Sequence, residues 1–334
     1  MNSTAGLLNH SVPTTHENDT DCHDNDQSVK TLFVVLHFTI IILGLPSNCF
    51  SVFMSYQHIR QGNELGVYLM NLALADICLI LMSPIWIDYS FADEWRHGET
   101  ACVVCAFLMF TQFYFSVALL CCIAVDRYLA VVHPLRYHFM RKVRTATCVC
   151  ILLWIFTMVF NAATVSKVSV YNDENGLFCL YFFSMDSDHV KRVSYARFFI
   201  WFFVPSVLVG FCCWKIRKEV RSNRATEKEE RERVCLLLGL VQLTLTICFG
   251  PFHIILLLRA WLRTCQTARW IYYPYKAAVA LATVNCLADP LLYSFITRSG
   301  RARIKKAILA LQRKSKSSKG SDLERELNPQ FHRP

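Results

Sequence analysis

The chain has 334 residues, of which 54% are hydrophobic and only 18% are charged, with a formal net charge of +10 at pH 7. Soluble domains carry about 25% charged residues, so this composition argues against a soluble protein and favours a membrane protein with one helical bundle. In such a protein the positive charge indicates cytoplasmic loops and not a nucleic-acid-binding surface. Most of the 16 cysteines lie inside apolar segments, where thiols behave as small hydrophobic groups, so they do not indicate a disulfide scaffold.

The first 30 residues are polar and contain three Asn-x-Ser/Thr sequons, at Asn2, Asn9 and Asn18. One sequon often arises by chance. Three within this short stretch, beside an apolar segment, indicate an extracellular glycosylated segment over residues 1–30. No hydrophobic signal core precedes the first apolar segment, so we expect that segment to act as its own insertion signal.

Seven apolar segments follow, each long enough to cross a bilayer as a helix. We predict an all-α membrane protein in which residues 31–297 form a seven-transmembrane-helix bundle. Several segments contain a proline, which membrane bundles tolerate as a kink where neighbouring groups satisfy the freed backbone. The predicted helices span residues 31–56, 65–91, 99–132, 145–168, 194–219, 232–262 and 270–297, and the prolines are Pro46, Pro84, Pro205, Pro251 and Pro290.

Lysine and arginine residues are concentrated in segments 127–144 and 215–233 and in the tail that follows residue 297. Because cytoplasmic loops carry the excess of positive charge, this distribution predicts an extracellular N-terminus and a cytoplasmic C-terminus. An odd number of crossings is then required, and seven satisfies it.

In the tail, Ile304, Ile308 and Leu311 recur at helical spacing between basic residues. This pattern predicts a short amphipathic eighth helix over residues 298–313, lying against membrane lipid. Residues 314–334 are polar, and we predict that they form a disordered cytoplasmic tail.

Two acids lie inside predicted spans, Asp76 in the second and Asp289 in the seventh. An acid at bilayer depth is costly, so it is a functional-site hypothesis by default. Two of them suggest a shared polar cavity that holds a cation, a proton or both, and Asn48, Ser116 and Asn285 can be placed at similar depth. The alternative is that each acid is only hydrogen-bonded to nearby polar groups.

The stretch from Cys121 to Pro134 carries an uncharged apolar run directly into Asp126-Arg127-Tyr128. An acid and an arginine at the end of a membrane span must pair or lie at the water boundary. For an isolated pair, an arginine that only anchors the helix end is the simplest interpretation. Six other apolar segments share this chain, however, which makes a functional role the stronger hypothesis.

Together the spans and their motifs resemble the rhodopsin-like G-protein-coupled receptors. The resemblance implies a plasma-membrane receptor, with no enzymatic activity, that activates heterotrimeric G proteins and also interacts with arrestin and receptor kinases. The residues that carry it are Asn48, Asp76, Ser116, Asp126-Arg127-Tyr128, Trp154, Pro205, Pro251, Asn285 and Asp289-Pro290-Leu291-Leu292-Tyr293.

In this family the arginine of the third helix releases its neighbouring acid and contacts the G protein. The resemblance therefore implies that Arg127 couples to the G protein and that Asp126 restrains it, with Tyr128 and Tyr293 in the same coupling region. The family's sixth helix often supplies a second acid to this lock. The matching position here is Arg231, so we expect that contact to be missing.

The resemblance also implies a sodium site formed by Asp76, Ser116 and Asp289, with Asn48 and Asn285 beside it. Sodium would act there as an allosteric ligand, and no other cofactor is implied.

The family's disulfide matches Cys102 at the start of the third span and Cys179 in the second outer loop. Both positions face an oxidising compartment, where such a bond persists. Cys22 and Cys265 are the remaining outer cysteines. They form either a second bridge, from the N-terminal segment to the last outer loop, or two free thiols.

Two further stretches, Arg60–Asp76 and Pro84–Tyr89, resemble the proton-sensing group of these receptors. Members of that group titrate buried acids and outer histidines as extracellular pH falls. This chain has Thr157 where relatives generally have a glutamate, and Lys276 where they have a histidine. Its loop over residues 90–95 also lacks the histidines that relatives have there. The ligand is therefore either the extracellular proton or a lipid such as a lysolipid or an oxidised fatty acid.

Among the histidines, His97 and His253 are the strongest candidates for pH sensing, since a histidine changes charge near physiological pH. His253 could instead frame a small anionic ligand together with Arg197, Arg259 and Lys276. The alternative for these bases is interfacial snorkelling. Outside the receptors, an ion-coupled transporter is the main rival because buried acids also mark ion pathways, although no internal repeat is visible.

Overall fold

The computed structural model describes residues 27–92, 94–133, 137, 142–165, 171–173, 176–179, 187–222, 228–261 and 265–296. Within these residues the chain forms seven long helices and one short β-hairpin, which confirms the predicted all-α bundle. The helices are α1 (Gln27–Thr39, Ile40–Gly44 and Leu45–Arg60), α2 (Leu65–Ala92), α3 (Gly98–Val132), α4 (Val143–Val165), α5 (Ser187–Phe198, Phe199–Phe203 and Val204–Ser222), α6 (Lys228–Thr244, Leu245–Phe249 and Gly250–Trp261) and α7 (Cys265–Ile296).

Six of these helices, α1 to α6, are long and apolar enough to cross a membrane, judged by length and composition. The seventh, α7, has 32 residues and packs against α6, α1 and α2. Helices α1, α5, α6 and α7 begin several residues before their predicted limits. The apolar pattern marks only the part of a helix that lies in hydrocarbon, whereas backbone hydrogen bonds continue into a polar turn outside it.

The hairpin was not predicted. Its strands, β1 (Tyr171–Asp173) and β2 (Gly176–Phe178), pair antiparallel between α4 and α5. Strands of three residues are too short to show an alternating pattern in the sequence.

Each of three prolines follows a widened π-helical turn. The segments Ile40–Gly44, Phe199–Phe203 and Leu245–Phe249 are π-helical, and Pro46, Pro205 and Pro251 lie two residues beyond their ends. Proline has no backbone N–H, and its ring crowds the carbonyl one turn earlier. A π turn widens the backbone there, so α1, α5 and α6 continue past the proline instead of ending.

Helix α3 lies at the centre of the bundle and packs against α2, α4 and α5. Its aromatic residues Phe113, Tyr114 and Phe115 are fully buried in the main core. Large apolar residues on the outer surface of α4, such as Leu152 and Val159, are well exposed. This arrangement is typical of a membrane bundle, in which lipid covers the apolar outer face.

At one end of the bundle the predicted disulfide between Cys102 and Cys179 is present, with a Cα–Cα distance of 5.6 Å. It packs against the fully buried Trp95, whose indole N–H donates to the carbonyl of Gly98 at 2.7 Å. Gly98 has a φ of +76°, a left-handed conformation that glycine adopts without strain. The bond therefore joins the start of α3 to the segment that follows the hairpin.

Candidate functional site

The two membrane-embedded acids meet between α2 and α7. Asp76 and Asp289 are both buried, and their carboxyl groups are close enough to hydrogen-bond to each other. One oxygen of each is satisfied by an amide: Gln112 Nε2 donates to Asp76 Oδ1 at 2.7 Å, and Asn285 Nδ2 donates to Asp289 Oδ2 at 2.7 Å. Asp76 Oδ2 and Asp289 Oδ1 have no N–H or O–H donor in the described part of the chain. Two like charges in this position need a proton or a cation between them.

Asn48 connects α1 to this region. Its Nδ2 donates to the carbonyls of Gly44 at 3.0 Å and Cys286 at 2.9 Å. A small cavity beside it, lined in part by Asn48, Ser51 and Asp289, has room for about one water molecule. Asn48 and Asp289 thus line one small cavity together with apolar residues such as Leu72, whereas Asp76 is not among its lining residues.

The oxygen atoms around the acid pair suit a hard cation. Besides the two carboxylate oxygens, the amide oxygens of Asn48 and Asn285 are buried without a donor among the described residues. Ser116 differs from this set, since its Oγ accepts a hydrogen bond from Gln112 Nε2 at 3.0 Å. A cation at this place would have to share Ser116 with the amide, or leave it out.

Gln112 is the residue of this site that sequence reasoning missed. It is buried on α3, one turn before Ser116, and its single Nε2 reaches both Asp76 and Ser116. The available signal was its position: a polar residue inside the aromatic run Phe110–Phe115. The role of Thr157 is simpler, because this buried side chain donates to the carbonyl of Leu153 at 2.7 Å and carries no titratable group.

The other end of α3 holds the predicted coupling residues. Arg127 Nε donates to Asp126 Oδ2 at 3.0 Å, and Nη2 contacts the same oxygen. The predicted contact between Arg127 and Asp126 is therefore present. Tyr128 lies beside them with its hydroxyl 3.2 Å from His133 Nε2. A further acid, Glu64 on the chain just before α2, was not predicted here: its Oε1 lies 3.6 Å from Arg127 Nη2.

Three of the four predicted ligand-binding bases lie together between α3, α5 and α6. The guanidinium of Arg197 lies over the ring of Phe110, 4.4 Å from its centroid, and Nη2 donates to Thr164 Oγ1 at 3.2 Å. The imidazole of His253 lies 6.0 Å from the Tyr114 ring, which the Arg197 guanidinium also approaches. Arg259 is close enough to Arg197 to interact with it electrostatically. Lys276 is half-buried on α7.

Both buried bases in this cluster retain an unused ring or guanidinium nitrogen. His253 Nδ1 lies 2.8 Å from the carbonyl of Phe249, and its ring stacks on Phe202. Arg197 Nε and His253 Nε2 are buried and have no hydrogen-bond partner among the described residues. The buried Arg197 guanidinium is therefore only partly hydrogen-bonded, and an anion could pair with its free Nε.

His97 lies apart from this cluster, near the disulfide. Its Nε2 is 3.0 Å from Asp88 Oδ2, and its ring meets that of Trp95 edge to face at 5.2 Å. The histidine is exposed. The two histidines singled out from the sequence therefore belong to different sites: His97 forms an outer acid–base pair, and His253 lines the bundle interior.

Several predictions fall outside the described residues. These concern the glycosylation sites Asn2, Asn9 and Asn18, the bridge between Cys22 and Cys265, the side chains of Tyr293 and Arg231, the eighth helix over 298–313 and the tail over 314–334.

Comparison with known proteins identifies the family. Residues 47–293 match the model for the 7 transmembrane receptor (rhodopsin family). The chain is similar to "G-protein coupled receptor 68" of Mus musculus, with 33% identity over 92% of this chain and 86% of that protein. It is also similar to "G-protein coupled receptor 65" of Homo sapiens, with 36% identity over 84% and 86%.

A more distant relative is the "Lysophosphatidic acid receptor 6" of Gallus gallus, 27% identical over 82% of this chain and 93% of that protein. All of these relatives are named as receptors, and two of them are named for coupling to G proteins. The chain is a multi-pass membrane protein that belongs to the rhodopsin family of seven-transmembrane G-protein-coupled receptors.

Proposed function

We propose that this receptor activates G proteins in response to extracellular protons, and that the pair formed by Asp76 and Asp289 is the main proton acceptor. The observation that carries the proposal is the contact between these two buried carboxyl groups, each with one oxygen that no donor of the described residues reaches. The resemblance to the proton-sensing group of receptors supports the same function.

The physical argument starts from repulsion. Two like charges in contact repel by about 4 kcal/mol at an effective dielectric constant of about 20. One shared proton removes this repulsion and allows a hydrogen bond between the two carboxyl groups, which joins α2 to α7. A ligand shifts a conformational equilibrium only by binding one state more tightly than the other. The proton does so here if the active packing brings the two acids closer together than the resting packing.

Sodium is the natural competitor of that proton. An oxygen-rich site next to two carboxylates suits a hard cation, and we propose that sodium between Asp76 and Asp289 favours the resting state. Because the cation and the proton neutralise the same charge, they exclude each other. High sodium should therefore require a lower pH for the same activation.

The pair of His97 and Asp88 is the second proton acceptor in this proposal. His97 Nε2 lies 3.0 Å from Asp88 Oδ2, and histidine is the side chain whose charge ordinarily changes near physiological pH. The pair must face the extracellular side to sense external pH. We propose an extracellular N-terminus because of the distribution of basic residues and the three sequons.

The test is nucleotide exchange on purified G protein in membranes that contain this receptor, measured from pH 8 to pH 6. The wild type should become more active as the pH falls. Asp289→Asn, which mimics a protonated acid, should raise activity at pH 8 and flatten the pH response, and Asp76→Asn should flatten it too. Asp188→Asn, an exposed acid on α5, is the matched control and should behave like the wild type.

Two outcomes would contradict the proposal in different ways. A flat wild-type response would remove proton sensing altogether. A steep response that both variants retain would remove the acid pair and leave His97 and Asp88 as the sensor.

The second candidate function is recognition of an anionic lipid, such as a lysolipid or an oxidised fatty acid. It is supported by the buried guanidinium of Arg197, which has an unused Nε and lies among aromatic rings that suit an apolar chain. The relative named as a lysophosphatidic acid receptor supports the same class of ligand. Arg197→Gln should abolish the response to such lipids and leave the response to pH intact. A lipid response that survives this substitution would contradict the role of Arg197.

Arrestin and receptor kinases are further partners that we propose from the family. The tail offers hydroxyl groups at Ser315, Ser317, Ser318 and Ser321 for phosphorylation. Replacement of these serines by alanine should reduce arrestin recruitment while nucleotide exchange persists.

A further inference from the structure

Glu64 is a nearly buried acid at the cytoplasmic end of the bundle. Only 6% of the residue is exposed, and its Oε1 lies 3.6 Å from Arg127 Nη2. At that distance the contact is an ion pair and not a hydrogen bond. The same guanidinium also donates to Asp126. Arg127 is therefore held between two acids that come from different parts of the chain.

The turn between α1 and α2 fixes the position of Glu64. Gly62 has a φ of +77°, which allows a tight reversal after α1. Asn63 Oδ1 accepts a hydrogen bond from the N–H of Leu65 at 3.0 Å and caps the start of α2. The carbonyl of Glu64 itself accepts the N–H of Val67 at 3.0 Å. The Glu64 backbone is thus part of the first turn and cannot move away without uncapping the helix.

Close packing of α1 and α2 adds to this constraint. A Cβ atom on Gly66 would lie 2.8 Å from the carbonyl oxygen of Ser55, so only glycine permits this approach. The start of α2 also favours an acid, because the amide groups at a helix N-terminus carry a partial positive charge. The carboxylate of Glu64 is accordingly stable at this place, and it is aimed at α3.

We propose that Glu64 is a positioning residue that restrains Arg127 in the resting receptor, so that the lock on the coupling arginine is made from α2. The position on α6 where this family often has a second acid holds Arg231 instead. Release of Arg127 toward the G protein then has to break two ion pairs, one with its neighbour Asp126 and one with Glu64. This inference rests on the family's use of Arg127 and is independent of proton sensing.

The consequence is a defined cost of activation. When Arg127 leaves, Glu64 stays behind as a nearly buried acid that has lost a counter-charge, which is unfavourable. Removal of the Glu64 charge eliminates both the ion pair and this penalty. The resting state then loses a restraint that the active state never had.

The experiment measures basal nucleotide exchange at a fixed pH of 8, with receptor amounts matched by surface labelling. Glu64→Gln should raise basal exchange by roughly fivefold or more, the range of ordinary allosteric couplings. Maximal stimulated exchange should stay near the wild-type value, because Glu64 does not contact the G protein in this proposal. Glu219→Gln on α5 is the matched control, since this acid lies in the basic segment 215–233 and the ion pairs of Arg127 among the described residues are with Asp126 and Glu64.

Two further variants separate restraint from folding. Glu64→Asp keeps the charge on a shorter side chain and should give an intermediate basal activity, so it tests the proposal even where Glu64→Gln is poorly expressed. In the double variant with Asp126→Asn, the effects should be non-additive because both acids bind one guanidinium. Wild-type basal exchange in well-expressed Glu64→Gln, or strict additivity with Asp126→Asn, would overturn the proposal.

Discussion

Two regions of the bundle each contain a pair of acidic residues. The regions differ in whether a basic residue lies between the two acids. At the C-terminal end of α3, Asp126 and Glu64 have Arg127 between them. In the middle, Asp76 and Asp289 face each other, and the hydrogen-bond donors that reach them among the described residues are the neutral amides of Gln112 and Asn285. The first pair has the Arg127 side chain as its counter-charge. We propose that the second pair takes up a proton or a sodium ion from the solution, which would make it respond to pH and salt.

The comparison also separates two functions. A pair with a built-in counter-charge forms a switch that is released only when the helices move. In our proposal, a pair without one binds a proton or a sodium ion. Variants that add or remove one charge should therefore convert the behaviour of one region toward that of the other.

The largest expected effect comes from removal of the built-in cation. Arg127→Ala should reduce G-protein activation to background, because the coupling group itself is lost. It also removes the positive charge that these two nearly buried acids share, and breaking a buried ion pair typically costs about 3–5 kcal/mol. Nucleotide exchange at matched surface expression measures the first effect, and thermal unfolding in detergent measures the second. Arg127→Lys keeps the charge and should retain much of the stability. Normal signalling by a well-expressed Arg127→Ala receptor would contradict its coupling role.

The next variant adds a cation to the middle pair. Gln112→Lys places an ammonium group where the amide now contacts Asp76, so the acids should no longer need a proton or sodium. Activity should become nearly independent of pH between 8 and 6. Gln112→Met has a similar length without a charge and is the control, which should keep a pH response. A Gln112→Lys receptor with an unchanged pH curve would show that the acid pair is not the sensor.

A third prediction concerns the outer disulfide. Cys102→Ser should lower the thermal stability, since loss of a native disulfide typically costs about 2–5 kcal/mol in small domains. Neither acid pair lies near this bond, so the pH midpoint measured at reduced temperature should stay close to that of the wild type. Peptide mapping under non-reducing conditions provides the direct check, and recovery of free Cys102 and Cys179 thiols would refute the bond.

The smallest effect should come from the outer acid–base pair. His97→Gln removes its titratable group and should shift the pH midpoint by at most about 0.7 unit. An exposed ion pair contributes only about 0.2–1 kcal/mol, and about 1.4 kcal/mol corresponds to one pH unit. A larger shift would mean that the outer histidine, and not the buried pair, dominates the response.

Hydrophobic runs and charge asymmetry were sufficient to predict the helices, because the bilayer imposes a length and forbids unsatisfied backbone. Motifs at fixed positions also placed Asp76 with Asp289 and Arg127 with Asp126. Gln112 and Glu64 were missed for a common reason. Each contacts a functional residue of another helix through a long side chain. A single sequence does not show which rotamer such a side chain adopts, and therefore which neighbouring helix it contacts.

The polar turn that opens α5 and the hairpin before it illustrate a second limit. Ser187 begins a helix that the apolar pattern places at residue 194, and β1 pairs with β2 over only three residues. Neither feature is in contact with hydrocarbon. Neither therefore has the long apolar run on which the prediction of membrane helices depends.

The π turns before Pro205 and Pro251 have a consequence for rotation. Each turn contains about one residue more than an α-helical turn, and one residue of an α-helix corresponds to a rotation of about 100°. If the segment Leu245–Phe249 tightened into α-helix, the C-terminal half of α6 would rotate by that amount relative to its N-terminal half. Such a twist would carry His253 from one side of the helix to another. A ligand near His253 and a G protein at the far end could therefore influence each other through the winding of a single helix.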